Sequence, residues 1–178
     1  MSDVIVLTET WLSGTIASYT LLPSGQFNGQ RVDRKSPVNC HISADGVLVA
    51  LKMPYQMTVF KKYTSQYIQI MTVHISAIQQ KGLYILAVYS SPDRHNSPES
   101  LLQQSKARLA TIPHNEPCMI IGDINEDALA TTHGPIQTAI KSLHVLDHIY
   151  TRNIDCMDTC VSATYYSDHH WASCNLKF

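Results

Sequence analysis

Charge is what this sequence has least of. Only 15% of its 178 residues are charged, and 13 Lys and Arg nearly balance 14 Asp and Glu, giving a formal net charge of −1. Proteins that coat nucleic acid without specificity carry a strong basic excess, so that class is excluded. An enzyme that holds nucleic acid in a local groove with a metal is not. No apolar run approaches the roughly 18 residues that a membrane span requires. The N-terminus has neither the basic stretch nor the apolar core of a secretory leader, so the expectation is an intracellular protein. Disorder is also excluded, because 44% hydrophobic residues supply a proper core. Internal repeats, low-complexity tracts and long linkers are missing, and the length suits one domain covering residues 1–178.

A disulfide framework is absent as well. The five cysteines, Cys40, Cys118, Cys156, Cys160 and Cys174, are odd in number and scattered. Cys156, Cys160, His169, His170 and Cys174 would make a conceivable zinc set. However, Cys-x3-Cys followed by His-His matches no standard finger, so reduced structural thiols are the expectation.

What is present reads as strands with a few helices. Val4 to Thr8 (VIVLT) and Gly46 to Lys52 (GVLVALK) are short apolar runs rich in β-branched residues, the pattern of strands buried on both faces. Tyr67 to Ile75 and Gly82 to Ser90 are separated by a segment ending Gln-Gln-Lys-Gly, which predicts an antiparallel hairpin. Ser97-Pro98 opens a helix, with Ser97 as N-cap and Leu101, Leu102, Ser105, Leu109 and Ile112 as its apolar stripe, stopped by Pro113. A further buried strand runs from Cys118 to Ile121. Gly134-Pro135 predicts a short helix to about Lys141, and Val145 to Thr151, Val161 to Tyr166 and His169 to Leu176 predict the last strands. Residues 25–45 read as mostly loop. Hairpins mixed with strand–helix–strand alternation mean an α/β layered protein with a mixed sheet.

Acidic and amide residues punctuate the ends of these strands. Glu9 follows VIVLT, Asp123 and Asn125 follow CMII, and Asp168-His169 precedes the last strand. Polar groups at strand ends face the crevice where α/β proteins bind ligands. Carboxylates gathered there repel one another unless a cation or protons sit among them. Such an oxygen-rich set suits Mg²⁺, which takes one or two carboxylates plus water and substrate phosphate. Any single one of these residues is as readily a helix cap or turn former; the set together is what carries the argument.

In order along the chain, Leu7-Thr8-Glu9-Thr10-Trp11-Leu12, Gly46-Val47-Leu48-Val49-Ala50, Val88-Tyr89-Ser90-Ser91-Pro92, Gly122-Asp123-Ile124-Asn125, Leu146-Asp147-His148-Ile149-Tyr150 and Ser167-Asp168-His169 resemble the endonuclease/exonuclease/phosphatase superfamily. The stretches ETWL, LDHIYTRN and YYSDHHW look most like endonuclease domains of eukaryotic mobile elements, of the non-LTR retrotransposon or Helitron type. The resemblance implies a four-layer α/β/β/α sandwich of two packed mixed sheets flanked by helices. It implies Glu9 as a metal ligand, with Asp168 close to the metal, and Mg²⁺ (or Mn²⁺ in its place) as cofactor. It further implies Tyr89 reaching the scissile phosphate, Asp123 orienting the attacking water, Asn125 bonding a phosphate oxygen, and Asp147 supporting His169 on the phosphate.

The function so implied is Mg²⁺-dependent nicking of DNA that leaves a 3′-hydroxyl. The partner would be a DNA substrate and not a membrane, and the domain would be monomeric, within a larger element-encoded polyprotein and nuclear if it acts on genomic DNA. A catalytically impaired remnant and a phosphatase acting on small phosphoesters are the alternatives. The family usually has a strand ahead of VIVLT that ends in an asparagine, and more residues between Asn125 and Asp147. The expectation is therefore a domain lacking its usual first strand, with an incomplete site. Trp11 is expected in packing, and Arg31, Arg34 and Lys35 on a solvated loop.

Overall fold

The computed structural model describes residues 3–12, 22, 25–34, 45–78, 81–92, 100–125, 137–138, 147–162 and 171–177. Two sheets pack face to face, as the expected sandwich requires. The smaller has three strands in the order β1 (Val4–Thr8), β3 (Val47–Lys52), β2 (Phe27–Val32), with β3 antiparallel to both neighbours. The larger has six, in the order β4 (Gln56–Thr64), β5 (Ile68–Ile78), β6 (Lys81–Ser90), β7 (Cys118–Asp123), β9 (Asp147–Arg152), β8 (Gln137–Thr138). A two-stranded ribbon, β10 (Asp155–Ser162) with β11 (Trp171–Lys177), packs Ala172, Cys174 and Leu176 against the edge of the core.

The period-2 alternation of strands assigns the layers. Val47, Val49 and Leu51 point from β3 into the space between the sheets, where they meet Met71, Val73 and Ile75 of β5, Leu83, Ile85, Ala87 and Tyr89 of β6, and Met119 of β7. The other face of the large sheet presents Ile68, Ile70, Leu86, Val88 and Ile120 to the helix α1 (Leu101–Leu109) and to Ile112 just beyond it. Leu48 and Ala50 on the outer face of β3 pack with Leu22, Ile5, Leu7 and Phe27. The predicted β5–β6 hairpin is present and antiparallel, with Ile68 opposite Ser90. The step from β6 to β7 is parallel and crosses over through α1. Among the described residues, no helix is long and apolar enough to cross a membrane.

Several expectations are corrected. The N-cap of α1 is Ser100, whose hydroxyl accepts from the Gln103 amide, one turn later than the predicted Ser97; Ser97 itself lies outside the described residues. Where a short helix was predicted around Gly134 to Lys141, Gln137 and Thr138 pair instead with Thr151 and Tyr150 as β8, because the sheet edge offers backbone partners. Two strands were missed, β2 in the predicted loop and β4 at the sheet edge. β10 also begins at Asp155, ahead of the predicted Val161. VIVLT is an edge strand of intermediate burial, and of the two runs only GVLVALK, as β3, is buried on both faces.

One close approach fixes how β7 enters the site. Gly122 has φ +146°, and a Cβ there would lie 1.9 Å from the carbonyl oxygen of Val88, its parallel neighbour on β6. Only glycine combines that dihedral with that contact. Gly122→Ala is expected to cost about 3–5 kcal/mol of stability or to prevent folding. Urea denaturation measures it, and a loss under about 1 kcal/mol would mean the two strands separate easily around a methyl.

Candidate functional site

The register of the large sheet lines up a transverse row. Gln69 of β5 stands opposite Tyr89 of β6, Tyr89 beside Asp123 of β7, and Asp123 opposite Asp147 of β9. Tyr89 and Asp123 lie at the C-terminal ends of the two parallel strands, the position where such sheets bind ligands. β9 runs antiparallel to β7, so its first residue, Asp147, arrives at the same end. Glu9, just past β1 of the other sheet, faces this row, and the Tyr89 hydroxyl donates to Glu9 Oε1 at 2.8 Å.

Asp123 is fully buried and organises Asn125. The Asn125 backbone N–H donates to Asp123 Oδ1 at 2.9 Å, forming an Asx turn. The Asn125 amide nitrogen donates to Asp123 Oδ2 at 2.9 Å and to the Ser90 carbonyl at 2.7 Å. Both amide hydrogens are thus engaged, and a phosphate oxygen could be met only by exchanging one of these bonds.

Three further residues, unforeseen as site members, complete the group. Asp45, 6% exposed, lies near enough to the Tyr89 hydroxyl for its charge to act on it. Arg34 Nη1 lies 2.6 Å from Asp45 Oδ2. Burial first, then the bond to Glu9 and the charge of Asp45, push the Tyr89 phenol far above its ordinary 10.0, so it stays a neutral donor between two carboxylates. Gln69 lies in the same row, fully buried, its Oε1 without a hydrogen-bond partner among the described residues. Asp45 precedes its strand, whereas the acids picked out by sequence mostly follow theirs. Since β3 is antiparallel to β1, a strand start on one meets a strand end on the other, and that signal was available.

The backbone here is strained. Glu9, Trp11, Asp45 and Asn125 have φ of 50°, 51°, 65° and 50°, four of the six non-glycine residues with positive φ among those described. Such conformations cost on the order of 1–3 kcal/mol each and cluster at functional sites. The Glu9 loop is held by bonds from the Trp11 N–H to the Asp45 carbonyl at 3.2 Å and from the Thr10 N–H to the Gly46 carbonyl at 3.5 Å. Trp11 corrects the packing expectation: it is 56% exposed, because its left-handed backbone turns it outward while Leu12 goes inward. Arg34 is no solvated loop residue either.

Asp168, His169, His170 and Lys35 lie outside the described residues, as does the Asp147 side chain. Among the described residues no three His, Cys, Asp or Glu gather as a metal cluster. Glu9, on the Tyr89 hydroxyl with the Asp45 charge nearby, is nevertheless the hard, oxygen-only donor chemistry that suits Mg²⁺ or Mn²⁺. Cys118, Cys156, Cys160 and Cys174 are free thiols, and burial raises Cys118 to about 11 and Cys174 to about 12.

The sequence pattern of the Endonuclease/Exonuclease/phosphatase family matches residues 1–169. The chain belongs to that family. Its fold is similar to D. rerio TDP2 complexed with single strand DNA product, at 12% identity and TM-score 0.67, covering 99% of this chain and 86% of that one. It is also similar to a mannosyl-6-phosphatase of Bacteroides thetaiotaomicron VPI-5482, at 14% identity and TM-score 0.65, covering 99% and 85%. A third structure, an endonuclease/exonuclease/phosphatase family protein from Leptotrichia buccalis C-1013-b, gives 12% identity and TM-score 0.63, covering 99% and 88%. No protein of curated function matches the sequence.

The raised Tyr89 pKa carries a pH signature. A group whose folded pKa exceeds its unfolded value contributes stability that is intact below the unfolded value and lost as pH rises toward the folded one. In EDTA, the urea midpoint of the native chain should therefore fall more steeply above pH 10 than that of Tyr89→Phe. The difference should approach one proton, about 1.4 kcal/mol per pH unit. Parallel curves would show that the hydroxyl is not held between the two carboxylates.

Proposed function

We propose that this member of a phosphoester-hydrolase family is a divalent-metal-dependent DNA endonuclease domain of mobile-element type. It cuts one phosphodiester and leaves a 3′-hydroxyl. The observation that carries the reading is the convergence of Glu9, Tyr89 and Asp123 from both sheets on one end of the sandwich. The wording ETWL, LDHIYTRN and YYSDHHW supports the mobile-element type. The single strand DNA product bound by the similarly folded TDP2 supports a nucleic-acid substrate. Action on genomic DNA implies a nuclear setting, with the domain part of a larger element-encoded polyprotein.

Phosphodiester hydrolysis needs an in-line water, neutralised charge on the phosphate oxygens and firm positioning. Asp123, buried and held by Asn125, is the acceptor that orients the water. The neutral Tyr89 hydroxyl is a donor at hand for a phosphate oxygen. Asp147, next to Asp123 in register, supports His169, and the imidazolium donates to the phosphate. Glu9, with Asp168, would hold the metal, which when bound supplies Lewis acidity toward the phosphate.

Supercoiled plasmid should be nicked in Mg²⁺ and left intact in EDTA, and Asp123→Asn and His169→Ala should each lower the rate roughly 10²–10³-fold. His170→Ala, at a residue given no role on the phosphate, should cost far less. Release of inorganic phosphate from small phosphoesters without nicking would replace this reading with the phosphatase one. Independently of activity, Mn²⁺ or Mg²⁺ should raise the melting temperature, and Glu9→Gln should abolish the rise. An unchanged rise in that variant would remove Glu9 from the metal site.

A further inference from the structure

Arg34 is a cation built into this end of the molecule, and none of the roles above uses it. Its Nη1 is 2.6 Å from Asp45 Oδ2, with side-chain exposures of 20% for Arg34 and 7% for Asp45. The Asp45 carbonyl accepts from the Trp11 N–H at 3.2 Å, which holds the loop that carries Glu9, and Glu9 takes the Tyr89 hydroxyl at 2.8 Å. Arg34 is thus fixed on the segment that holds the Glu9 loop. The backbone around it is anchored to the large sheet, because Thr64 Oγ1 donates to the Asp33 carbonyl at 3.0 Å and Thr64 stands opposite Gln69 in the transverse row. Arg31 on β2 pairs through its Nε with a different carboxylate, Asp33, at 3.0 Å.

Burying a charge pair is weak evidence for stability, since desolvation offsets much of the attraction. A guanidinium, however, presents five donors in a rigid fork, and one nitrogen fixed on a carboxylate aims the others. The Arg34 ε N–H is buried without a hydrogen-bond partner among the described residues, and a fifth of the side chain reaches solvent. Asp45 is its acidic partner, and the site at this end carries the further acids Glu9 and Asp123. A site of that composition meets a polyanion only where a positive group is held in place. Planar, two-pronged recognition of phosphate oxygens is what arginine does best.

We infer that Arg34, oriented by Asp45, contacts a backbone phosphate of the nucleic acid beside the Glu9–Tyr89 pair. The inference rests on the reading of the site as one for phosphodiesters of nucleic acid. Arg34 is the phosphate-binding group, and Asp45 is a positioning residue that acts through it.

The test is equilibrium binding of a fluorescein-labelled single-stranded oligonucleotide in EDTA, where binding is read without cleavage, across a range of salt. Arg34→Met alone would strand a buried carboxylate, so the informative variant is Arg34→Met with Asp45→Asn. It should bind roughly tenfold or more weakly, as expected on losing a charged hydrogen bond. The slope of log affinity against log salt should shrink by about 0.7, one phosphate contact on a single strand. Arg34→Lys should restore the slope but only part of the affinity, because an ammonium keeps the charge and loses the fork. A double variant that is less stable yet keeps the native slope makes the pair purely structural and overturns the inference. A native chain that binds and shows the Arg34 dependence but never nicks plasmid upholds the inference and sinks the endonuclease reading. One that nicks while the double variant keeps the native slope does the reverse. A native chain that neither nicks DNA nor binds the oligonucleotide overturns both.

Discussion

The hydrogen bond from Tyr89 to Glu9 joins two sheets that share no strand. Glu9 leaves the end of β1 in the small sheet, and Tyr89 closes β6 in the large one. Neither sheet alone brings acid and phenol together. Their apolar faces must first pack, Val47, Val49 and Leu51 against Ile85, Ala87 and the Tyr89 ring, before the hydroxyl can find its acceptor. The same burial that drives the packing removes water from the hydroxyl, keeps it protonated and strengthens its bond to Glu9. Core and site form together.

The strain around that join has a consistent logic. Glu9, Trp11, Asp45 and Asn125 all adopt left-handed backbone, and the first three belong to two segments tied by main-chain bonds. An unstrained strand end would carry Glu9 along the sheet direction; the reversed dihedral turns it across the gap. Asn125 does the same after β7, where Gly122 has already brought the backbone against Val88. Asparagine and aspartate tolerate this conformation, but glutamate and tryptophan do so at a cost that surrounding packing must offset. Function is the usual reason for such a cost to persist.

Much of this architecture is legible in the order of residues along the chain. VIVLT, GVLVALK and CMII announce their strands by apolar β-branched runs, and the β5–β6 hairpin shows as two such runs around a short polar link. β4 escapes notice because its Met57 and Val59 alternate for only two turns of the pleat before Lys61 and Lys62 break the pattern at an edge strand, where charge is tolerated. β2 escapes because Phe27–Val32 contains Asn, Gly, Gln and Arg; only pairing with β3 makes it a strand. Local propensity is weak in both cases and tertiary pairing decides.

Residue order alone thus specifies the layered α/β class and, through its ordered motifs, the family; Glu9, Asp123 and Asn125 stand out as polar residues at the ends of apolar runs, whereas only the resemblance of their motifs marked Tyr89 and Asp147. It took the folded arrangement to bring Asp45, Arg34 and Gln69 among them and to turn Trp11 toward solvent. Those facts depend on which strands run antiparallel and on which residues fall opposite one another. Register is set by the packing of two faces at once, a long-range condition that no window along the chain contains.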